Sequence, residues 1–173
     1  MNHDDHVHLI QDGITGPGVW ADLGSGWGAF TLALADLLGP GSSIYSVDKD
    51  RGALRDQERA MRSRFPDVDV HYLAADFTRP LDLPPLDGVV MANSLHFQRD
   101  KEAVLQRVRG YLKPGGRLVL VEYNTDHGNP WVPYPLSYAT WEALARRAGF
   151  ATTRLLATRG GGRHNDMYAS LSM

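Results

Sequence analysis

Val19-Trp20-Ala21-Asp22-Leu23-Gly24-Ser25-Gly26-Trp27-Gly28 is an apolar run with one acid in it that breaks off into glycines at alternate positions. The residues that follow, Ala29-Phe30-Thr31-Leu32-Ala33-Leu34-Ala35-Asp36-Leu37-Leu38, read as a helix by composition and length. The order is strand, Gly-rich turn, helix. Glycines allow φ > 0 and let the backbone approach a ligand with no Cβ in the way. The unpaired N–H groups at the helix start then face whatever sits over the turn.

Two ligand classes fit such a turn. Gly24, Gly26 and Ala29 match the relaxed dinucleotide fingerprint, Gly-x-Gly-x-x-Gly/Ala. The stretch also resembles the first motif of the Rossmann-like class I S-adenosylmethionine-dependent methyltransferases, acid-x-Gly-x-Gly-x-Gly. Asp22 leans toward the second: a carboxylate there repels a pyrophosphate and attracts the ammonium of a methionine moiety.

A chain of 173 residues fits one domain that buries about two-thirds of its unfolded surface. Its 43% hydrophobic and 22% charged residues are those of an ordinary globular protein. A formal charge of −2 gives no strong attraction for nucleic acid or anionic membranes. No apolar run approaches the roughly 18 residues of a membrane span, and no signal-peptide pattern opens the chain. A cytoplasmic location is expected by elimination. Zero cysteines exclude disulfides, thiolate metal sites and a Cys nucleophile.

Residues 1–17 read as a short N-terminal cap. His3, His6 and His8 invite a metal reading, but a metal site needs converging geometry and usually a fourth ligand. A short helix or lid start with Asp4 or Asp5 as N-cap is the simpler expectation, and no metal is expected. After the first helix, Gly39-Pro40-Gly41 makes a stop. Ile44–Val47 is a short strand ending on Asp48, near the spacing at which an acid at the second strand's tip reaches the ribose hydroxyls of an adenosine. Asp48 could equally cap the helix that follows, Arg51–Arg64, and Asp50 is available for the same task. That helix offers Leu54, Met61 and Phe65 to the core.

Val68–Ala74 alternates as a strand with one polar face and ends in Ala75-Asp76-Phe77. Pro80, Pro84 and Pro85 exclude a full crossover helix next. Asp87–Ala92 is an apolar strand ending in Asn93-Ser94-Leu95-His96-Phe97. Arg99–Leu112 is an amphipathic helix, Lys113–Arg117 a turn, and Leu118–Tyr123 a strand. Residues 124–137, with Pro130, Pro133 and Pro135, form a stiff loop carrying His127, Trp131 and Tyr134. It is a candidate substrate loop, because open α/β sheets bind ligands at the strands' C-terminal edge and exposed aromatics suit stacking. Tyr138–Ala148 is a helix. Phe150–Thr158 and Asp166–Leu171 are strands joined by Gly160-Gly161-Gly162-Arg163-His164-Asn165.

Further residues carry the family resemblance, which runs from about Gly18 to the C-terminus. Leu112-Lys113-Pro114-Gly115-Gly116-Arg117-Leu118 resembles the turn before the fifth strand of these methyltransferases. The Asn/Asp-Pro-Pro-aromatic tetrapeptide of enzymes acting on exocyclic or amide nitrogens is replaced by Asn93-Ser94-Leu95-His96. The Lys-Asp-Lys-Glu set of ribose 2′-O-methylating enzymes is also missing. The chain is instead similar to the small-molecule methyltransferases.

The resemblance implies an α/β fold: a seven-stranded, mostly parallel sheet flanked by helices, strand order 3-2-1-4-5-7-6, with an antiparallel last hairpin. It implies S-adenosyl-L-methionine as cofactor, held by Asp22, Gly24, Ser25, Gly26, Gly28, Asp48, Lys49, Asp76, Phe77 and Asn93. Asp76 would take the adenine amino group, Phe77 would cover the ring, and Asn93 would serve the methionine end. A hydroxyl acceptor would need a general base. His96 and His127 are the candidates, since imidazole titrates near neutrality, with Glu122 and Tyr123 behind them. The expected partner is a small-molecule methyl acceptor. The rival readings are a non-catalytic S-adenosylmethionine-binding protein, favoured by the short N-terminus, and an NAD-dependent oxidoreductase.

Overall fold

The computed structural model describes residues 1–160 and 166–173. Part of the linker expected between the last two strands, 161–165, lies outside the described residues. The strands are β1 (Val19–Leu23), β2 (Ser43–Asp48), β3 (Asp69–Ala74), β4 (Leu86–Ala92), β5 (Leu112–Tyr123), β6 (Thr153–Arg159) and β7 (Met167–Ser172). They form one sheet in the order β3-β2-β1-β4-β5-β7-β6. β1 to β5 pair in parallel, while β7 runs antiparallel to β5 and to β6. This is the expected topology.

The helices α1 (His3–Ile10), α2 (Ala29–Leu38) and α3 (Arg51–Arg64) supply Leu9, Ile10, Leu34 and Met61 to the core on one face of the sheet. On the other face α4 (Lys101–Tyr111) and α5 (Tyr138–Arg147) pack Val104, Leu105, Val108, Trp141 and Leu144. The proline segment between β3 and β4 carries no helix, and Leu81 and Leu83 cover that stretch of sheet instead.

Three local expectations change. The N-cap of α1 is Asn2, not Asp4 or Asp5. The Asn2 side chain accepts from Asp5 N at 2.9 Å, and the Asp5 carboxylate accepts from Asn2 N at 3.0 Å, a reciprocal capping box. The Lys113–Arg117 turn belongs to β5: Leu112 pairs with Leu86 and Arg117 with Gly88, so the Pro-Gly-Gly stretch is a bulge within the strand. β6 starts at Thr153, not Phe150, because Phe150 is buried at the end of α5.

β1 and β4 approach through one glycine. A Cβ on Gly88 would stand 2.3 Å from the Trp20 ring, which is 2% exposed. The ring has no room to swing away. Gly88→Ala is expected to cost about 2 kcal/mol or more of stability by overpacking, measured as a lowered urea midpoint with an unchanged slope.

Candidate functional site

Because β1 is followed by β2 on one side and flanked by β4 on the other, the sheet parts at the C-terminal ends of β1 and β4. A hollow of about 380 Å³ opens there, lined by Gly24, Gly26, Asp48, Lys49, Phe77, Asn93, Ser94, Phe97 and Gln98. That volume lies within the range of small-molecule sites. Tips of successive strands therefore meet around one space.

The glycine loop is held in an unusual backbone path. Gly24, Gly26 and Gly28 have φ of 81°, 53° and 83°, conformations that favour glycine. A Cβ on Gly24 would also lie 2.5 Å from Ser94 Cβ, so β1 and β4 close to backbone distance at the floor of the hollow. Val47 O accepts from both Gly24 N and Ser25 N, and Asp48 Oδ2 accepts from Gly26 N at 2.7 Å. Asp50 caps α3, accepting from Gly52 N and Ala53 N. Asp48 is thereby released from capping and turned to the loop.

Lys49 reaches from the β2 tip to Asp76 beyond β3, Nζ to Oδ2 at 2.9 Å. Burial raises the Asp76 carboxyl, but the hydroxyl and amide of Thr78 and the Lys49 ammonium outweigh it and hold the acid down to about 2. Phe77 is 9% exposed and forms the wall beside Gly24.

Asn93 sits at the β4 tip with φ of 53°, the one non-glycine in the left-handed region among the described residues, a strain that over-determined functional positions tolerate. Its Oδ1 is buried and has no hydrogen-bond partner. A buried acceptor left open costs free energy and fits a ligand that brings its own N–H donor.

Asp22 does not line the hollow. It is 1% exposed, beneath the loop, and accepts from the Thr31 hydroxyl at 2.6 Å. Burial pushes its carboxyl up to about 7 against that hydrogen bond, and the nearby Asp48 carboxylate adds to the rise.

Of the two expected bases, His96 lies behind the wall of the hollow and His127 lies outside it. The His96 side chain is buried; its Nδ1 is 2.8 Å from Glu122 Oε2, and its backbone N donates to Glu122 Oε1 at 3.0 Å. Glu122 is 0% exposed. The Phe97 ring lies 4.3 Å from the imidazole and is 55% exposed at the hollow. His127 is exposed on the loop, its N–H bonded to Thr125 Oγ1.

The loop itself is braced. Asn129 Oδ1 accepts from Trp131 N and Val132 N, the Asp126 carboxylate takes the amide and hydroxyl of Ser137, and Tyr134 N donates to His96 O. Trp131 is left 84% exposed and Tyr134 43% exposed. Sequence reasoning passed over Gln57, buried under the loop with its amide on Gly26 O. A polar residue on the apolar stripe of α3 was the available signal. Among the described residues no three or more His, Cys, Asp or Glu side chains are grouped to hold a metal, and no helix is long and apolar enough to cross a membrane.

Comparison with known proteins gives a consistent pattern. The family model for a methyltransferase domain matches residues 21–118. Acetylserotonin O-methyltransferase of Mus musculus is 35% identical over 167 residues, covering 82% of this chain and 41% of that protein. The chain thus spans about two-fifths of that relative's length. Among solved structures, the 1,6-didemethyltoxoflavin-N1-methyltransferase of Burkholderia thailandensis superposes with a TM-score of 0.77 at 17% identity, over 98% of this chain and 76% of that one. That structure holds 1,6-didemethyltoxoflavin and S-adenosylhomocysteine. The YcgJ protein of Bacillus subtilis gives a TM-score of 0.76 at 11% identity, with 98% of each chain covered. At such identities the structural likeness shows the fold alone.

Proposed function

The chain belongs to the methyltransferase-domain family, and from that premise we propose that it methylates a small-molecule acceptor using S-adenosyl-L-methionine. One observation carries the reading. The Gly24 and Gly26 cradle, the Asp48 carboxylate and Asn93, whose buried amide oxygen has no partner, line a single hollow of ligand size. When bound there, S-adenosylmethionine supplies a sulfonium methyl group that a nucleophile can attack in line with the C–S bond.

The chain's own residues bind, orient and exclude water. Asp48, set by Gly26 N and Asp50 N, faces the hollow with acceptor oxygens for vicinal ribose hydroxyls. Asp76 and Lys49, already paired, offer an acceptor and a donor to an adenine edge that Phe77 packs against. Asn93 Oδ1 accepts from an ammonium. Asp22 acts from below the loop, as negative potential once ionised and not by contact. Gly24 and Gly26 keep the backbone low enough to admit the ligand, while Gly28 makes room for Gln57 beneath the loop. On the acceptor side Phe97, Trp131 and Tyr134 offer apolar faces. His96 is the base for a hydroxyl acceptor: the Glu122 carboxylate can only accept from Nδ1–H, so Nε2 carries the free lone pair. Phe97 must lean aside for an acceptor to reach it. His127 serves only as a second candidate, from the loop. A cytoplasmic location and the absence of nucleic-acid partners belong to the same reading.

The test is formation of S-adenosylhomocysteine from S-adenosylmethionine in the presence of a fractionated metabolite extract. Release that depends on the extract is expected, and no release with any fraction would sink the enzyme. In parallel, Asp48→Ala is expected to weaken S-adenosylhomocysteine binding at least tenfold by calorimetry, about the value of one charge-assisted hydrogen bond.

A further inference from the structure

Under the glycine loop lies a closed ring of neutral hydrogen bonds joining three elements. Gln57 of α3, 1% exposed, donates through its amide nitrogen to Gly26 O at 2.5 Å and to Ser25 Oγ at 2.9 Å. Its amide oxygen accepts from Ser46 Oγ of β2 at 2.8 Å. The hydroxyls of Ser25 and Ser46 share a further bond of 2.8 Å. Both amide hydrogens, the amide oxygen and both hydroxyls are thus engaged. The same side chain accounts for the third glycine, since a Cβ on Gly28 would stand 2.4 Å from Gln57 Cγ.

The ring sets the pose of Gly26. Nothing packs within 4 Å of the place where a Cβ on Gly26 would be, so hydrogen bonds and not packing hold this residue. Its carbonyl is drawn inward to Gln57, and its N–H donates to Asp48 Oδ2 at 2.7 Å. Gln57 and Asp48 therefore hold the same residue, one by its carbonyl and the other by its N–H. An apolar side chain at position 57 would pack against β2, but it would leave Gly26 O without its partner and each serine hydroxyl with only the other serine, in a largely water-excluded place. Burying a polar group on the core side of a helix gives little stability unless it is fully bonded. Here it is fully bonded, and every bond leads to the loop or to the strand that ends in Asp48.

We infer that Gln57 is a positioning residue for the cofactor: through Gly26 it orients the Asp48 carboxylate that receives the ribose. The inference rests on the assignment of Asp48 to the ribose, and the test separates the two. Binding of S-adenosylhomocysteine is measured by calorimetry for the natural protein, Gln57→Met, Asp48→Ala and the double variant. Methionine keeps the volume and removes the hydrogen bonds. Gln57→Met is expected to weaken binding at least tenfold in the natural background and less than threefold in the Asp48→Ala background. A side chain that only stabilised the fold would weaken both backgrounds by the same factor, and that result overturns the inference. So does an affinity for Gln57→Met within twofold of the natural protein while Asp48→Ala still loses binding. Natural affinity in Asp48→Ala would remove the ribose assignment itself, and the positioning role with it. Should Gln57→Met fail to fold, Ser46→Ala removes the partner of the Gln57 amide oxygen and the serine–serine bond while leaving the Gln57 bond to Gly26 O in place. It is expected to cost threefold or more in the natural background and nothing measurable without Asp48; equal costs again overturn the inference.

Discussion

Replacing His96 by alanine is expected to lower turnover by about 100-fold or more while leaving the affinity for S-adenosylhomocysteine within twofold. The split follows from where the side chain sits. His96 is absent from the lining of the hollow, so cofactor affinity does not depend on it directly. The imidazole is locked from behind by Glu122, which takes both Nδ1–H and the backbone N–H of His96. With Glu122 ionised, this grip fixes one tautomer and leaves the Nε2 lone pair open. Glu122→Gln keeps the shape but can donate to Nδ1, which would place the proton on Nε2. It is expected to reproduce most of the His96→Ala loss. Single-turnover rates at saturating cofactor, for both variants, read the chemical step. Unchanged rates in His96→Ala would reduce this histidine to packing, as would suit an acceptor sulfur or soft carbon that needs no base.

Sequence alone reads those parts of the fold whose signals are local. α2 and α3 span the expected residues because Gly28 and Gly39 bracket the first and Asp50 opens the second. The strand tips with Gly24, Asp48, Phe77 and Asn93 were legible because each βα unit repeats the same punctuation. What escaped was long-range. The extension of β5 through Pro114-Gly115-Gly116 exists because Leu112 finds Leu86 on another strand, while locally the stretch looks like a turn. Glu122 could be seen as an acid at a strand end, but not its hold on a histidine 26 residues away. Gln57 stands on the apolar stripe of α3 with no local sign of a partner, since Ser25 lies 32 residues from it in sequence. Asp22 was read as a contact for the cofactor's ammonium; its burial under the loop depends on α2 folding back over β1 and bringing Thr31 onto it.

That burial gives Asp22 the second large effect, on stability against pH. Its carboxyl is pushed up from 3.8 to about 7 in the folded chain. Below about pH 4 it is neutral folded or unfolded, and costs nothing. Between about 4 and 7 the unfolded chain loses this proton while the folded chain keeps it. The folded state then binds more protons, so stability falls as pH rises. Above about 7 both states are ionised and the cost stays constant, on the order of 4 kcal/mol for a shift of this size. Other groups act elsewhere or in the opposite sense. Asp76, held near 2, adds stability that is lost only as the solution is acidified below about 4. His6, lowered by burial and then by the chain's amino terminus, makes stability rise with pH up to the ordinary histidine range. Comparison with Asp22→Asn cancels these contributions, because asparagine can still accept from the Thr31 hydroxyl and carries no charge at any pH. Urea denaturation across pH 4 to 8 is therefore expected to show the variant gaining on the natural protein steadily with pH, then levelling off near neutrality. A difference that stays flat across that range would mean the carboxylate under the loop is solvated or paired, and the electrostatic account of this site would fall with it.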